Sequence, residues 1–235
     1  MKNKKIIYLI GRDNWQKDIF LNNLLVEHLK KTGNEIRWED PAGNMLYKLR
    51  RIENQLRWLP AFIRKINLRA FQIIYGLFHW SYFRYLTDRK NQELEFRLQK
   101  LKEDLSKLNY KKEIIILSRS SGGRLSSLIA DSLNINYIIC LGYPFKHPDK
   151  EIEPERYLHL ETLQTPMLII QGDKDEYGGL EIKDKYIFSP NVELLFVKAN
   201  HNFNLDNQDW IKILTKIDEI IQTKPKREEI LADNL

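Results

Sequence analysis

The stretch KKEIIILSRSSGGRLSSLIA, residues 111–130, opens as a β-branched apolar run, breaks into small residues at 118–123 and resumes with helical spacing. A continuous apolar run of this length, bounded by turn formers, suits a strand buried on both faces. Ser120 sits at the break. A serine between strand and helix is a nucleophile on a sharp elbow, part of an anion-binding turn, or a plain junction. The phosphate-loop reading fails, because no G-x-x-x-x-G-K-[ST] pattern is present. The other two stay open on this stretch alone. Gly122 fills the last position of G-x-S-x-G, but Ser118 stands where the first glycine belongs.

Working outward, KIIYLI (5–10) reads as a buried strand ended by Gly11, and EIRWED (35–40) as a second strand stopped by Pro41. Between them Ile19, Leu21, Leu24, Leu25 and Leu29 recur at helical spacing, closed by Gly33. Residues 88–108 form an amphipathic pattern with Leu94, Leu98, Leu101, Leu105 and Leu108 on one face. Downstream, INYIICL (135–141), MLIIQG (167–172) and VELLFV (192–197) are further strand runs, with helical stretches between them and over 207–223. Strands alternating with helices predict an α/β fold, a mostly parallel sheet covered on both faces. No repeat or interdomain linker interrupts it, so 1–235 reads as one domain with an insertion at about 44–86.

In open α/β sheets the working residues sit on loops at the carboxyl ends of strands. Three such loops carry Ser120, then Asp175 in IIQGDKDEYGG, then His201 in VKANHNF. The order Ser, Asp, His is that of the α/β-hydrolases. The residue types fit the chemistry. A serine hydroxyl needs an imidazole to take its proton, and the imidazole needs a carboxylate to hold its tautomer and stabilise its cation. Each residue taken singly has a plainer role: a turn at Ser120, a helix cap at Asp175, a loop histidine at His201. The joint occurrence in order is what favours catalysis. An oxyanion hole needs two backbone N–H groups. Ser121, following the nucleophile, supplies one, and Arg12 in IGRDNW is the candidate for the other, with Asp13 as the near alternative. LGYPFKHP (141–148) follows a strand at the same sheet end, which nominates Tyr143 and Lys146 as substrate-binding residues, with Phe145 either lining the pocket or packing beneath it. His147 and His159 have no partners at metal-ligand spacing and read as structural or surface residues.

Residues 114–203 resemble the α/β-hydrolase superfamily, in its dienelactone-hydrolase-like branch. The run CLGYPFKHPDKEIEPERYLHLETLQTPMLIIQGDKDEYGG is similar to the subgroup containing testis-expressed protein thirty and the third subunit of the NSL acetyltransferase complex. The resemblance implies an α/β-hydrolase fold, a nucleophile at Ser120, an acid at Asp175 and a base at His201. Two positions depart from the subgroup's pattern: Ser118 for a glycine, and Asn200 for an acid before the histidine.

The net charge of +6 is unevenly placed. Between residues 44 and 86 eight Lys or Arg face one acid, Glu53, so the rest of the chain is close to neutral. The same segment holds ten of the 26 aromatic residues, yet Gln72, His79, Ser81 and Arg84 make 70–86 a poor membrane span. A helical cap, a contact with an anionic membrane or lipid-like substrate, and a contact with an acidic polymer all stand open for it. No nucleic-acid motif is present. One cysteine, Cys140, excludes an internal disulfide framework. The apolar run after the basic start, residues 6–10, is too short for a signal-peptide core, so the expected location is cytoplasmic, or peripheral on the inner face of a membrane.

These readings combine into an expected serine hydrolase acting on an ester or related acyl group, requiring no cofactor and no metal. An acyltransferase using the same triad, and a non-catalytic binding or scaffold protein of the same fold, remain the alternatives.

Overall fold

The computed structural model describes residues 4–11, 22–39, 41–87, 93–108 and 112–222. Six strands form one all-parallel sheet: β1 (Ile6–Ile10), β2 (Glu35–Trp38), β3 (Ile114–Arg119), β4 (Tyr137–Leu141), β5 (Met167–Gly172) and β6 (Val192–Val197), in the order β2-β1-β3-β4-β5-β6. The helices are α1 (Glu27–Lys31), α2 (Pro41–Gln55), α3 (Ala61–Phe78), α4 (Trp80–Thr87), α5 (Leu94–Ser106), α6 (Ser121–Ile129), α7 (Ile182–Lys185) and α8 (Asn207–Gln222).

The apolar runs are continuous because both faces of the sheet are covered. Successive side chains of a strand point to opposite faces. Ile6, Ile10, Ile114 and Ile116 pack against Leu101 and Leu105 of α5 and Leu125 and Ile129 of α6. Their neighbours Ile7, Leu9, Ile115 and Leu117 pack against Leu25 and Leu29 on one side and Trp210, Ile213 and Ile217 of α8 on the other. Each fully buried aliphatic side chain contributes about 1.5–3 kcal/mol, so the central strands anchor everything placed at their ends.

The expected strands appear with small trims: the second ends at Trp38 and the fourth starts at Tyr137. The helix expected at 88–108 is seen from Leu94 to Ser106, and residues 88–92 lie outside the described part. The segment 44–86 is helical and comprises most of α2, all of α3 and most of α4. Leu68, Phe71 and Tyr75 of α3 pack on Met45 and Leu49 of α2 and on Tyr82 of α4, a cluster separate from the two sheet cores.

Candidate active site

Strand β3 ends at Arg119, and the chain turns directly into α6 through Ser120, whose backbone has φ 50° and ψ −121°. A non-glycine residue with positive φ stores strain and persists only where its surroundings hold it. Here the Ser120 N–H donates to the Leu141 carbonyl and its own carbonyl accepts from Gly123 N–H. The helix must also approach β1 closely. A Cβ at Gly122 would lie 2.6 Å from the Ile10 carbonyl oxygen, so only glycine fits.

Ser118 is fully buried and its hydroxyl donates to the Ile139 carbonyl at 3.0 Å. The serine that breaks the glycine pattern therefore fits against β4 with its polar atom satisfied. The elbow keeps its shape.

The loop after β5 carries Asp175 and the loop after β6 carries His201. Backbone bonds from Asp173 N–H to Val197 O and from Lys174 N–H to Ala199 O join the two loops beyond the sheet. That seam leaves no room at Gly172, where a Cβ would stand 2.4 Å from the Ala199 oxygen. Asn200, in place of an acid, accepts the Asn202 N–H on its side-chain oxygen at 3.0 Å and so shapes the histidine turn.

The three side chains meet in series. Ser120 Oγ lies 3.0 Å from His201 Nε2, and His201 Nδ1 lies 2.9 Å and 3.0 Å from the two Asp175 oxygens. All three residues are at least 96% buried. With Nδ1–H donating to the carboxylate, Nε2 is left as the acceptor for the serine hydroxyl. This is the arrangement that lets an imidazole draw a proton from a serine.

Several residues that the sequence did not single out hold the series in place. Gln171 Nε2 donates to Asp175 Oδ2 at 3.0 Å and to the Gly178 carbonyl, while its Oε1 accepts the Tyr143 N–H. The Tyr177 N–H donates to Asp175 Oδ1 at 2.8 Å, and the Tyr177 ring packs on the His201 ring at 4.4 Å between centroids. Arg119 Nη2 donates to the His201 carbonyl at 2.7 Å, and its guanidinium lies over the Phe203 ring. Gln171 is visible in the sequence as a polar residue inside an apolar strand run, which was its one signal. Arg119 and Tyr177 gave none, since their partners are remote in the chain or in the backbone.

The other nominated residues are placed as follows. Ser121 is the first residue of α6, where backbone N–H groups have no acceptor within the helix. Arg12 lies outside the described residues, although the Gly11 carbonyl before it is held by Arg97, itself paired with Glu39. Tyr143 sits inside the core. It is fully buried, and its hydroxyl donates to the Arg156 carbonyl within a group that includes Ser127 and His159. Burial raises its phenol well above the usual range. The local reason is that Gly142, with φ 67°, turns the chain down into the core directly after β4. Phe145 is likewise buried, stacked on Tyr186. Lys146 pairs with Glu181 at 2.8 Å on the surface. Cys140 lies beneath the elbow, its thiol pushed up to about 12 by burial, which makes it inert. Among the described residues no three of His, Cys, Asp or Glu are grouped to hold a metal ion.

The family model described as "Alpha/beta hydrolase domain" matches residues 53–225, most of the chain. The chain belongs to the alpha/beta hydrolase family. Solved structures agree on the fold. A hydrolase of the alpha/beta superfamily from Xanthomonas campestris pv. campestris superposes with a TM-score of 0.53 at 13% identity, covering 92% of this chain and 99% of its own. Est1E from Butyrivibrio proteoclasticus gives 0.53 at 12% identity, covering 95% and 90%. An esterase of Pyrococcus furiosus gives 0.51 at 10%, covering 94% and 82%. Among curated proteins no relative matches the sequence. As an alpha/beta hydrolase, the chain carries its serine, acid and histidine on the loops after β3, β5 and β6. No helix among the described residues is long and apolar enough to cross a membrane.

Proposed function

We propose that the protein is a serine hydrolase of carboxylic esters working through an acyl-enzyme. The observation that carries this reading is the hydrogen-bonded series Ser120–His201–Asp175, with Ser120 on a positive-φ elbow. Ser120 Oγ attacks the acyl carbonyl carbon while His201 Nε2 takes the hydroxyl proton. Asp175 keeps Nδ1 protonated and stabilises the imidazolium. The Ser121 N–H, at the first turn of α6, holds the oxyanion. His201 returns its proton to the departing alcohol oxygen. A water molecule then attacks the acyl-enzyme, losing a proton to His201 and freeing the acid and Ser120.

The sequence resemblance to the dienelactone-hydrolase-like branch supports this assignment, and the structural neighbour from Pyrococcus furiosus, named as an esterase, favours an ester over other acyl bonds. A fluorophosphonate probe tests it. The folded protein should be labelled at Ser120 and release p-nitrophenol from a short-chain p-nitrophenyl ester, and Ser120→Ala should do neither. A folded wild-type protein that resists the probe and leaves the ester intact overturns the proposal.

A further inference from the structure

Helix α3 has two apolar faces. The inner one, Leu68, Phe71 and Tyr75, is packed on α2 and α4. The outer one runs Phe62, Ile66, Ile73 and Leu77, at i, i+4, i+11 and i+15, which is a single stripe on a helix of 3.6 residues per turn. Among the described residues nothing covers it. Its residues are exposed by 61% at Ile73 to 76% at Leu77, and the row is extended by Trp58 before the helix and Trp80 after it, 79% and 72% exposed. A contiguous apolar row of this length on a water-facing helix marks a surface that meets something.

The charge around the stripe says what. Lys65 and Arg69, both exposed, lie one turn apart along one side of it. The whole stretch 44–86 has eight cations and one acid. In a symmetric pair of copies the interface brings the same patch of each chain together, so these cations would face their own kind. A hydrophilic polyanion would satisfy the charges and leave the stripe in water. An anionic lipid surface satisfies both, taking the apolar row below the headgroups, Trp58 and Trp80 at the interface, and the cations against the phosphates. No helix among the described residues can span, so α3 would lie in the membrane plane.

We propose that the outer face of α3, with Trp58 and Trp80 at its ends, docks the protein on anionic membrane. This does not depend on the reaction proposed above, because docking needs no chemistry at Ser120.

The test uses the full chain and sedimented lipid vesicles, of phosphatidylcholine alone and with phosphatidylglycerol added. Binding should appear only with the anionic lipid, weaken with salt, and blue-shift tryptophan emission. Lys65→Gln and Arg69→Gln should each weaken it about fivefold. The exposed double variant Phe62→Glu/Leu77→Glu, with its circular dichroism and urea midpoint compared with wild type, should weaken it by tenfold or more. Ser120→Ala should bind as wild type does. Equal or absent binding to both vesicle types overturns the proposal. So does a stripe-dependent dimer in sedimentation velocity without vesicle binding, or retention on heparin that Phe62→Glu/Leu77→Glu leaves unchanged while vesicles are ignored.

Discussion

Arg119, the residue immediately before Ser120, donates Nη2–H to the backbone carbonyl of His201 at 2.7 Å. The strand that presents the serine therefore also grips the loop that presents the histidine. The same guanidinium lies 5.1 Å from the Phe203 ring, and Phe203 is itself held at φ 57°. A turn with a strained aromatic two residues beyond the histidine needs such a clamp.

Replacing Arg119 should act on turnover rather than on substrate affinity. Arg119→Met removes the donor and lets His201 drift, and a misplacement of about 1 Å costs about a hundredfold in rate. The expected outcome in ester-hydrolysis kinetics is a kcat lowered by about that factor with KM little changed. Leaving the buried His201 carbonyl without this donor should also cost about 1–3 kcal/mol in urea unfolding.

Ser118 offers the opposite expectation. Because its hydroxyl bonds the Ile139 carbonyl and the residue has no exposed surface, Ser118→Gly should keep the elbow and leave kcat/KM within about threefold, at a stability cost of about 1 kcal/mol. Ser118→Leu forces a large side chain against β4 and should destabilise by about 1–3 kcal/mol. Probe labelling and unfolding midpoints of the two variants check this together.

Gln171 sets the electrostatics of the acid. In Gln171→Glu a second carboxylate would stand where the amide now donates to Asp175 Oδ2 at 3.0 Å. Two carboxylates that close repel one another, and the donor that holds Asp175 beneath His201 is lost. The carboxylate then no longer fixes His201, so kcat should fall by about a hundredfold with KM little changed. Ester-hydrolysis kinetics of both proteins read the loss directly, and an unchanged kcat contradicts the assigned role.

His159 predicts a feature of stability. Burial, with the nearby Arg124 cation adding to it, lowers its pKa from 6.5 to about 4. Its ring is bonded through Nε2 to Ser127 Oγ at 2.8 Å. The unfolded chain takes up this proton first as pH falls, so the folded state loses stability from 6.5 downward until the folded group itself titrates near 4. Above 6.5 the contribution is complete and flat. Urea midpoints should fall more steeply across that window for wild type than for His159→Gln, and the two curves should run parallel at higher pH.

The fold was largely legible because its signals are local. Apolar runs ending in Gly or Ser announce strands buried on both faces, and β1, β3 and β5 lie where those runs stand. The order of Ser120, Asp175 and His201 after three separate strands was legible for the same reason. Tyr143 was ambiguous because an aromatic after a strand looks the same whether it lines a cavity or packs under one, and only the tertiary structure shows it fully buried. The φ of 67° at Gly142, which sends it inward, is not written in the neighbouring residues.

Local patterning by itself determined the strands, the helices and which loops hold Ser120, Asp175 and His201, since periodicity and turn residues act over a few positions. Only the tertiary structure decided that Ser120 and His201, 81 residues apart, come within 3.0 Å. It likewise decided that Gln171 and Arg119 hold the acid and the base. It also decided that α3 turns Phe71 and Tyr75 inward and leaves Phe62 and Leu77 to water. Helical spacing marks both faces of α3 as apolar; which of them is buried depends on where α2 and α4 pack.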